Sequence, residues 1–254
     1  MKKKILAVAL AAIMVLVAIT GASLAYLQDT DYDKNVMTVG DVKIEQFEQE
    51  RNGSALVDFT DSKKLYPATS DPAYTDSITV NGVTYPAFGS EFNPIDKIVT
   101  VKNTGSEQAY VRTLIAFEQN DLNGDLDFSD GISNLIHIMY NQTDWETKFY
   151  DGTVLNNFAA NGKYYTLVSF TYKKVLESGN TTEPNLLQFF LDKTAENKDI
   201  APFMTANYEV LAVSQAVQVA GWEDKGTVAA TAEFALNTAF GEINEINVID
   251  WFTP

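Results

Sequence analysis

The chain has no cysteine among its 254 residues and only one histidine, His137. The first absence removes disulfide frameworks, thiol catalysis and any cysteine-ligated zinc. The second leaves a Ser-His-Asp arrangement one candidate base, and a two-histidine metal site within one chain has no ligands to build it. Positive charge is scarce as well. Eighteen Lys and Arg face 34 Asp and Glu, for a formal net charge of −16. That balance repels nucleic acid and anionic lipid, so neither is expected as a partner. Gly-x-Ser-x-Gly is missing too, so no nucleophile elbow offers His137 a serine, and the expected reading is non-enzymatic.

One long apolar run is present. Lys2, Lys3 and Lys4 precede an apolar stretch from Ile5 to Ile19, followed by Gly21-Ala22-Ser23-Leu24-Ala25. A basic start, an apolar helix and small residues at Ser23 and Ala25 are what signal peptidase reads, which predicts cleavage between Ala25 and Tyr26. The rival reading is an uncleaved anchor, because Ile5 to Leu27 carries no charge over a length that spans a bilayer. The acidic residues Asp29, Asp31 and Asp33 directly afterwards favour cleavage. Residues 1–25 are therefore read as a signal peptide, with membrane contact only through that segment. Its removal takes away three lysines and shifts the net charge to −19. The remaining 229 residues, 26–254, are enough for one substantial core, and a single domain is expected.

The remaining apolar runs are short, rich in Val, Ile, Tyr, Phe and Thr, and separated by Gly, Asn, Asp and Pro, as strands and turns are. Val39 to Phe47 alternates loosely. Ile78 to Tyr85 carries Asn81-Gly82, which suits a type I′ hairpin turn. Ile98 to Lys102 and Ala109 to Phe117 flank a turn at Asn103 to Ser106, and the second run is apolar on both faces, which places it inside a sheet. Leu135 to Tyr140, Tyr164 to Leu176, Leu186 to Leu191 and Tyr208 to Val219 read as further strands. This spacing predicts an all-β chain with minor helices, arranged as a two-sheet antiparallel β-sandwich. The alanine-rich stretch 228–240 with Gly241 after it reads as a helix with a glycine stop. Residues 243–251 are open between a strand and a short helix.

Two features invite chemistry. Asp121, Asn123, Asp125 and Asp127 place oxygen ligands at alternate positions, as a calcium loop begins. However, Leu126 stands where such a loop needs glycine, and Ile132 where it needs a closing glutamate. A solvated acidic loop is the other reading, and calcium is the one cofactor considered. Aromatics on the strands, such as Tyr164, Tyr165, Phe170 and Tyr172, could line a glycan groove. At strand spacing they more naturally form core.

Ala25-Tyr26-Leu27-Gln28-Asp29-Thr30-Asp31, with Asn35-Val36-Met37-Thr38-Val39-Gly40-Asp41-Val42, resembles the start of proteins exported with SipW-type signal peptides, the TasA and camelysin group of Gram-positive bacteria. Val101 to Arg112, Leu176 to Thr182, Val213 to Gln218 and Ala239 to Glu242 extend the resemblance over most of the chain. It implies a jelly-roll-like sandwich, secretion to the cell surface or extracellular matrix, and assembly into fibres of a biofilm matrix. The implied partners are other copies of the chain, signal peptidase during export and an accessory or anchoring matrix protein. The leader 26–40 would act as donor strand, with Tyr26, Leu27, Tyr32, Val36, Met37 and Val39 as its apolar residues. The peptidase classification of camelysin does not carry over, because a single histidine cannot make a His-Glu-x-x-His pair. The alternatives are a monomeric surface-binding module and a camelysin-like peptidase. Titration calorimetry with calcium checks the acidic loop. A heat of binding with a raised melting temperature supports a calcium loop, and neither effect leaves a solvated one.

Overall fold

The computed structural model describes residues 36–60, 63–71, 73–119, 128–129, 132–133, 135–150, 158–160, 163–195 and 208–252. The fold is mostly β, in several sheets, with two α-helices among these residues. Its largest sheet has six strands. Along its main path run β1 (Val36–Val39), β16 (Val210–Gln218), β8 (Ala109–Gln119), β14 (Lys163–Tyr172) and β12 (Trp145–Tyr150), and β13 (Phe158–Ala160) also pairs with β14. All these pairings are antiparallel except β1 with β16, which is parallel.

Two three-stranded sheets lie on one face of this sheet. One is β3 (Ala55–Asp58), β2 (Ile44–Asn52) and β7 (Ile98–Asn103). The other is β11 (Ile136–Tyr140), β15 (Leu186–Leu191) and β6 (Ile95–Asp96). One apolar cluster joins them to the large sheet, with Val111, Ile115, Phe117, Val168 and Phe170 against Val99, Val101, Phe189 and Leu191. The opposite face is covered by α1 (Val228–Phe240) and α2 (Glu245–Phe252). There Leu114, Ala116, Leu167 and Val213 meet Val248 and Phe252, while Tyr110 and Val217 meet Ala232, Ala235 and Leu236. The large sheet is thus a middle layer. This is why β8 is apolar on both faces: odd-numbered residues pack on strands and even-numbered ones on helices.

The remaining strands form two small hairpins, β4 (Tyr74–Val80) with β5 (Val83–Phe88), and β9 (Phe128–Ser129) with β10 (Ile132–Ser133). Asn81 and Gly82, at φ 50° and 81°, make the β4–β5 turn with the two positive φ angles that its sequence demands.

Three details differ from, or resolve, the sequence reading. Val39 to Phe47 is two strands in different sheets, because Gly40 at φ 88° breaks the run after Val39. The turn at Asn103 to Ser106 carries the chain between layers, since β7 pairs with β2 while β8 pairs with β14 and β16. Buried Asn103 holds that crossing. Its Nδ2 donates to Glu107 O at 2.7 Å and Leu176 O at 3.1 Å, while its Oδ1 accepts from Gly105 N at 3.0 Å. Within residues 243–251 the chain becomes helical from Glu245, as α2, where Val248 and Phe252, four apart, share the buried face.

Helix α1 follows its sequence signals closely. The Thr227 hydroxyl caps it by accepting from Ala230 N at 3.1 Å, and Gly241 at φ 93° ends it. Thr227→Ala is expected to lower unfolding free energy by about 1 kcal/mol. Urea denaturation should show this as a lower midpoint with an unchanged slope.

Candidate assembly edge

Strand β1 forms one edge of the six-stranded sheet. Its register pairs Val36 with Ser214, Met37 with Gln215, Thr38 with Ala216 and Val39 with Val217. Alternation sends Val36 toward the strand layer, where it packs on the main core, and Met37 and Val39 toward the helices. Three residues expected in the leader, Val36, Met37 and Val39, are thereby brought onto β16 of their own chain. Tyr26, Leu27 and Tyr32 lie outside the described residues, as do the processing residues Ser23, Ala25 and Tyr26.

All four residues of β1 are only half-buried. At about 1 kcal/mol for each half-buried apolar side chain, their packing does not exceed the cost of about 1–2 kcal/mol per residue for ordering the backbone. β1 therefore belongs to the weakly held end of the structure.

What β1 covers is unusually polar for the middle of a core. On the strand-layer side the Ser214 hydroxyl donates to Gln46 Oε1 at 2.6 Å and lies 2.8 Å from the Thr113 hydroxyl, while Gln46 Nε2 donates to Ala212 O at 3.3 Å and Glu48 Oε1 at 2.8 Å. On the helix side Gln215 Oε1 accepts from Arg112 Nε at 3.0 Å, and Arg112 Nη1 donates to Asn237 Oδ1 at 2.6 Å. Arg112 is 1% exposed, and burial pushes its pKa down to about 10, which leaves it charged at neutral pH. These residues did not stand out in the sequence. The available signal was a charged or amide side chain inside a run otherwise buried on both faces.

The other candidate residues fall elsewhere. His137 is on β11, stacked on Phe190 with ring centroids 4.8 Å apart, and its Nε2 lies 2.7 Å from Asp192 Oδ2. Asp192 Oδ1 accepts from the Thr194 amide at 2.8 Å and its hydroxyl at 2.7 Å. Asp121, Asn123, Asp125 and Asp127 lie outside the described residues. Among the described residues no group of three or more His, Asp and Glu could hold a metal ion. Tyr165, Phe170, Tyr172, Phe189, Phe190 and Trp145 are buried core residues.

A polar cleft of about 390 Å³ lies between β2, β4 and the turn after β5, lined by Glu50, Arg51, Asp76 and Asp96 among others. Its charges are spent internally. Arg51 donates to Asp96 through Nε at 2.6 Å and Nη2 at 3.1 Å, and through Nη1 to Asp76 at 2.6 Å, tying the β4–β5 hairpin to β2 and β6. Exposed Tyr74 stacks on Phe88 beside it, with centroids 4.9 Å apart. The chain matches no family model and no curated protein.

Burial alone would raise the Asp192 pKa, but the Thr194 and His137 hydrogen bonds outweigh it and hold the carboxyl below its ordinary 3.8. A carboxyl held low when folded adds stability that is complete above its unfolded pKa and is lost as the pH falls through the folded one. Asp192→Asn is expected to lower stability at pH 7 by about 1–2 kcal/mol. The gap from the parent protein should close as the pH drops below 3.8, which urea unfolding at pH 7 and pH 3 would show.

Proposed function

We propose that this protein is an exported structural subunit that assembles by exchanging its leader. In this reading β1 leaves the edge of its own sheet and pairs with β16 of another copy, building an extracellular fibre or matrix. The layered sheets are then a jelly-roll-like β-sandwich whose open edge is completed by a neighbour. The observation that carries the reading is β1 itself. Among the described residues it is a four-residue, half-buried parallel edge strand, set off from the following strand by Gly40 at φ 88°. A strand this short can be replaced by an identical one at little net cost, because the same main-chain bonds and pockets are refilled. The polar groups beneath it ease the exchange, since Ser214, Gln46 and Gln215 can turn to water while the edge is briefly open.

The resemblance to the TasA and camelysin group supports the same reading. So does the charge of −19, which keeps copies apart until acid, salt or divalent cations screen it. The second reading, a monomeric surface-binding module for glycans, is favoured by exposed Tyr74 beside the Arg51 cleft.

The absence of native cysteine makes a clean test available. Thr38 and Ala216 are register partners whose side chains point to the strand layer, so Thr38→Cys with Ala216→Cys can form a single disulfide. Oxidised as a monomer, this variant is expected to stay monomeric. Oxidised after assembly, it should run as a covalent ladder on a denaturing, non-reducing gel. A locked monomer that still forms filaments, or filaments that contain only within-chain bonds, would overturn strand exchange. Single particles from the parent protein at every concentration and pH would favour the binding module.

A further inference from the structure

Met37 on β1, Gln215 on β16 and Arg112 on β8 are consecutive partners in one row across the large sheet. Arginine offers only N–H donors, so the Gln215 amide must turn its oxygen toward it. Both Nε and Nη2 of Arg112 donate to that one oxygen. Arg112 is itself fixed by Asn237 on α1 and by Trp251 on α2, whose ring lies 5.6 Å from the guanidinium carbon. With the oxygen committed, the Gln215 amide nitrogen faces the leader, where it donates to Met37 Sδ at 3.6 Å. Met37 packs at the junction of the two helix-side clusters, where Trp251 also packs.

We infer that Gln215, positioned by Arg112, selects the side chain that the β16 edge accepts at the second position of its partner strand: a long, unbranched chain carrying a lone pair. Methionine meets all three requirements through its flexible thioether. Leucine keeps the apolar contact but cannot accept the N–H. Lysine is rejected twice, because it sets donor against donor and brings a second cation beside Arg112. The ligand is this position of the leader, supplied by the chain's own β1 or by a second copy. The role in assembly rests on strand exchange, whereas the selection itself operates in the monomer too.

Gln215→Glu in the full chain separates selection from packing. The carboxylate supplies Arg112 with an ion-pair partner, yet offers Met37 an acceptor in place of a donor. Global stability in urea is expected to equal or exceed that of the parent. Hydrogen-exchange protection of the amides of residues 36–39 should fall about fivefold, the worth of one hydrogen bond. Met37→Lys should cost more protection than Met37→Leu, and Met37→Gln, which keeps reach and acceptor, should cost least. Unchanged protection in Gln215→Glu would overturn the inference. So would protection and global stability falling together, which marks Gln215 as a packing residue only. If exchange responds as expected while the parent protein never polymerises, the selection stands and the assembly reading fails.

Discussion

The outer edge of β16 is the constraint on which the rest of the arrangement turns. Residues 212–217 of this strand are buried between a layer of strands and a layer of helices. Its side toward β8 is paired along nine residues, whereas among the described residues its other side is covered by four. Main-chain groups that deep cannot be left to water without loss, so some strand must lie there. The two cover layers make the large sheet rigid and set the register of any incoming strand. They leave the short β1 as the part of that sheet on which the proposed exchange would act.

That constraint also accounts for the polar residues in the core. A fully apolar β16 would gain more from burial, but it would accept an apolar strand in any register that met its pleat. Ser214 on one face and Gln215 on the other give the edge a pattern of donors and acceptors, tied back to Thr113, Gln46 and Arg112. A one-residue slip would place Val36 or Thr38 opposite Gln215 and lose the thioether contact. Polar groups in a core cost stability and gain uniqueness when every member is satisfied. Among the described residues no carboxylate is in hydrogen-bond contact with Arg112. Its bonds go to two amide oxygens, which hold it in place, while Glu233 acts on its charge from beyond hydrogen-bond contact.

Much of this was legible in the sequence where local chemistry decides structure. Asn81-Gly82 specified its turn through two positive φ angles, and the end of α1 was marked by Gly241, whereas its Thr227 cap emerged only from the structure. The two-sided apolar pattern of β8 announced an interior strand. What stayed hidden depends on long-range partners. Val39 to Phe47 looked continuous, since its alternation does not reveal that Gly40 sends the halves to different sheets. Residues 243–251 were ambiguous because Val248 and Phe252 have a shared face only once the large sheet lies under them. The leader's apolar residues were visible, but its parallel alignment with β16 was not, because residues 36 and 214 are brought together by the fold alone.

The acidic balance bears on the edge as well. Under the proposed exchange, two copies must approach while each carries a large negative charge, and that repulsion acts over about 10 Å or less at physiological ionic strength. The contacts of β1 with β16, by contrast, are uncharged on the leader side: Val36, Met37, Thr38 and Val39 meet Ser214, Gln215, Ala216 and Val217. Repulsion therefore acts on encounter, and the edge acts on what is kept afterwards. The proposed assembly would on this ground stay dispersed where charges are unscreened and form one defined contact once they are screened. Arg112, a cation beside the contact, is sealed beneath Gln215, where it orients an amide and cannot attract the acidic surface of a neighbour nonspecifically.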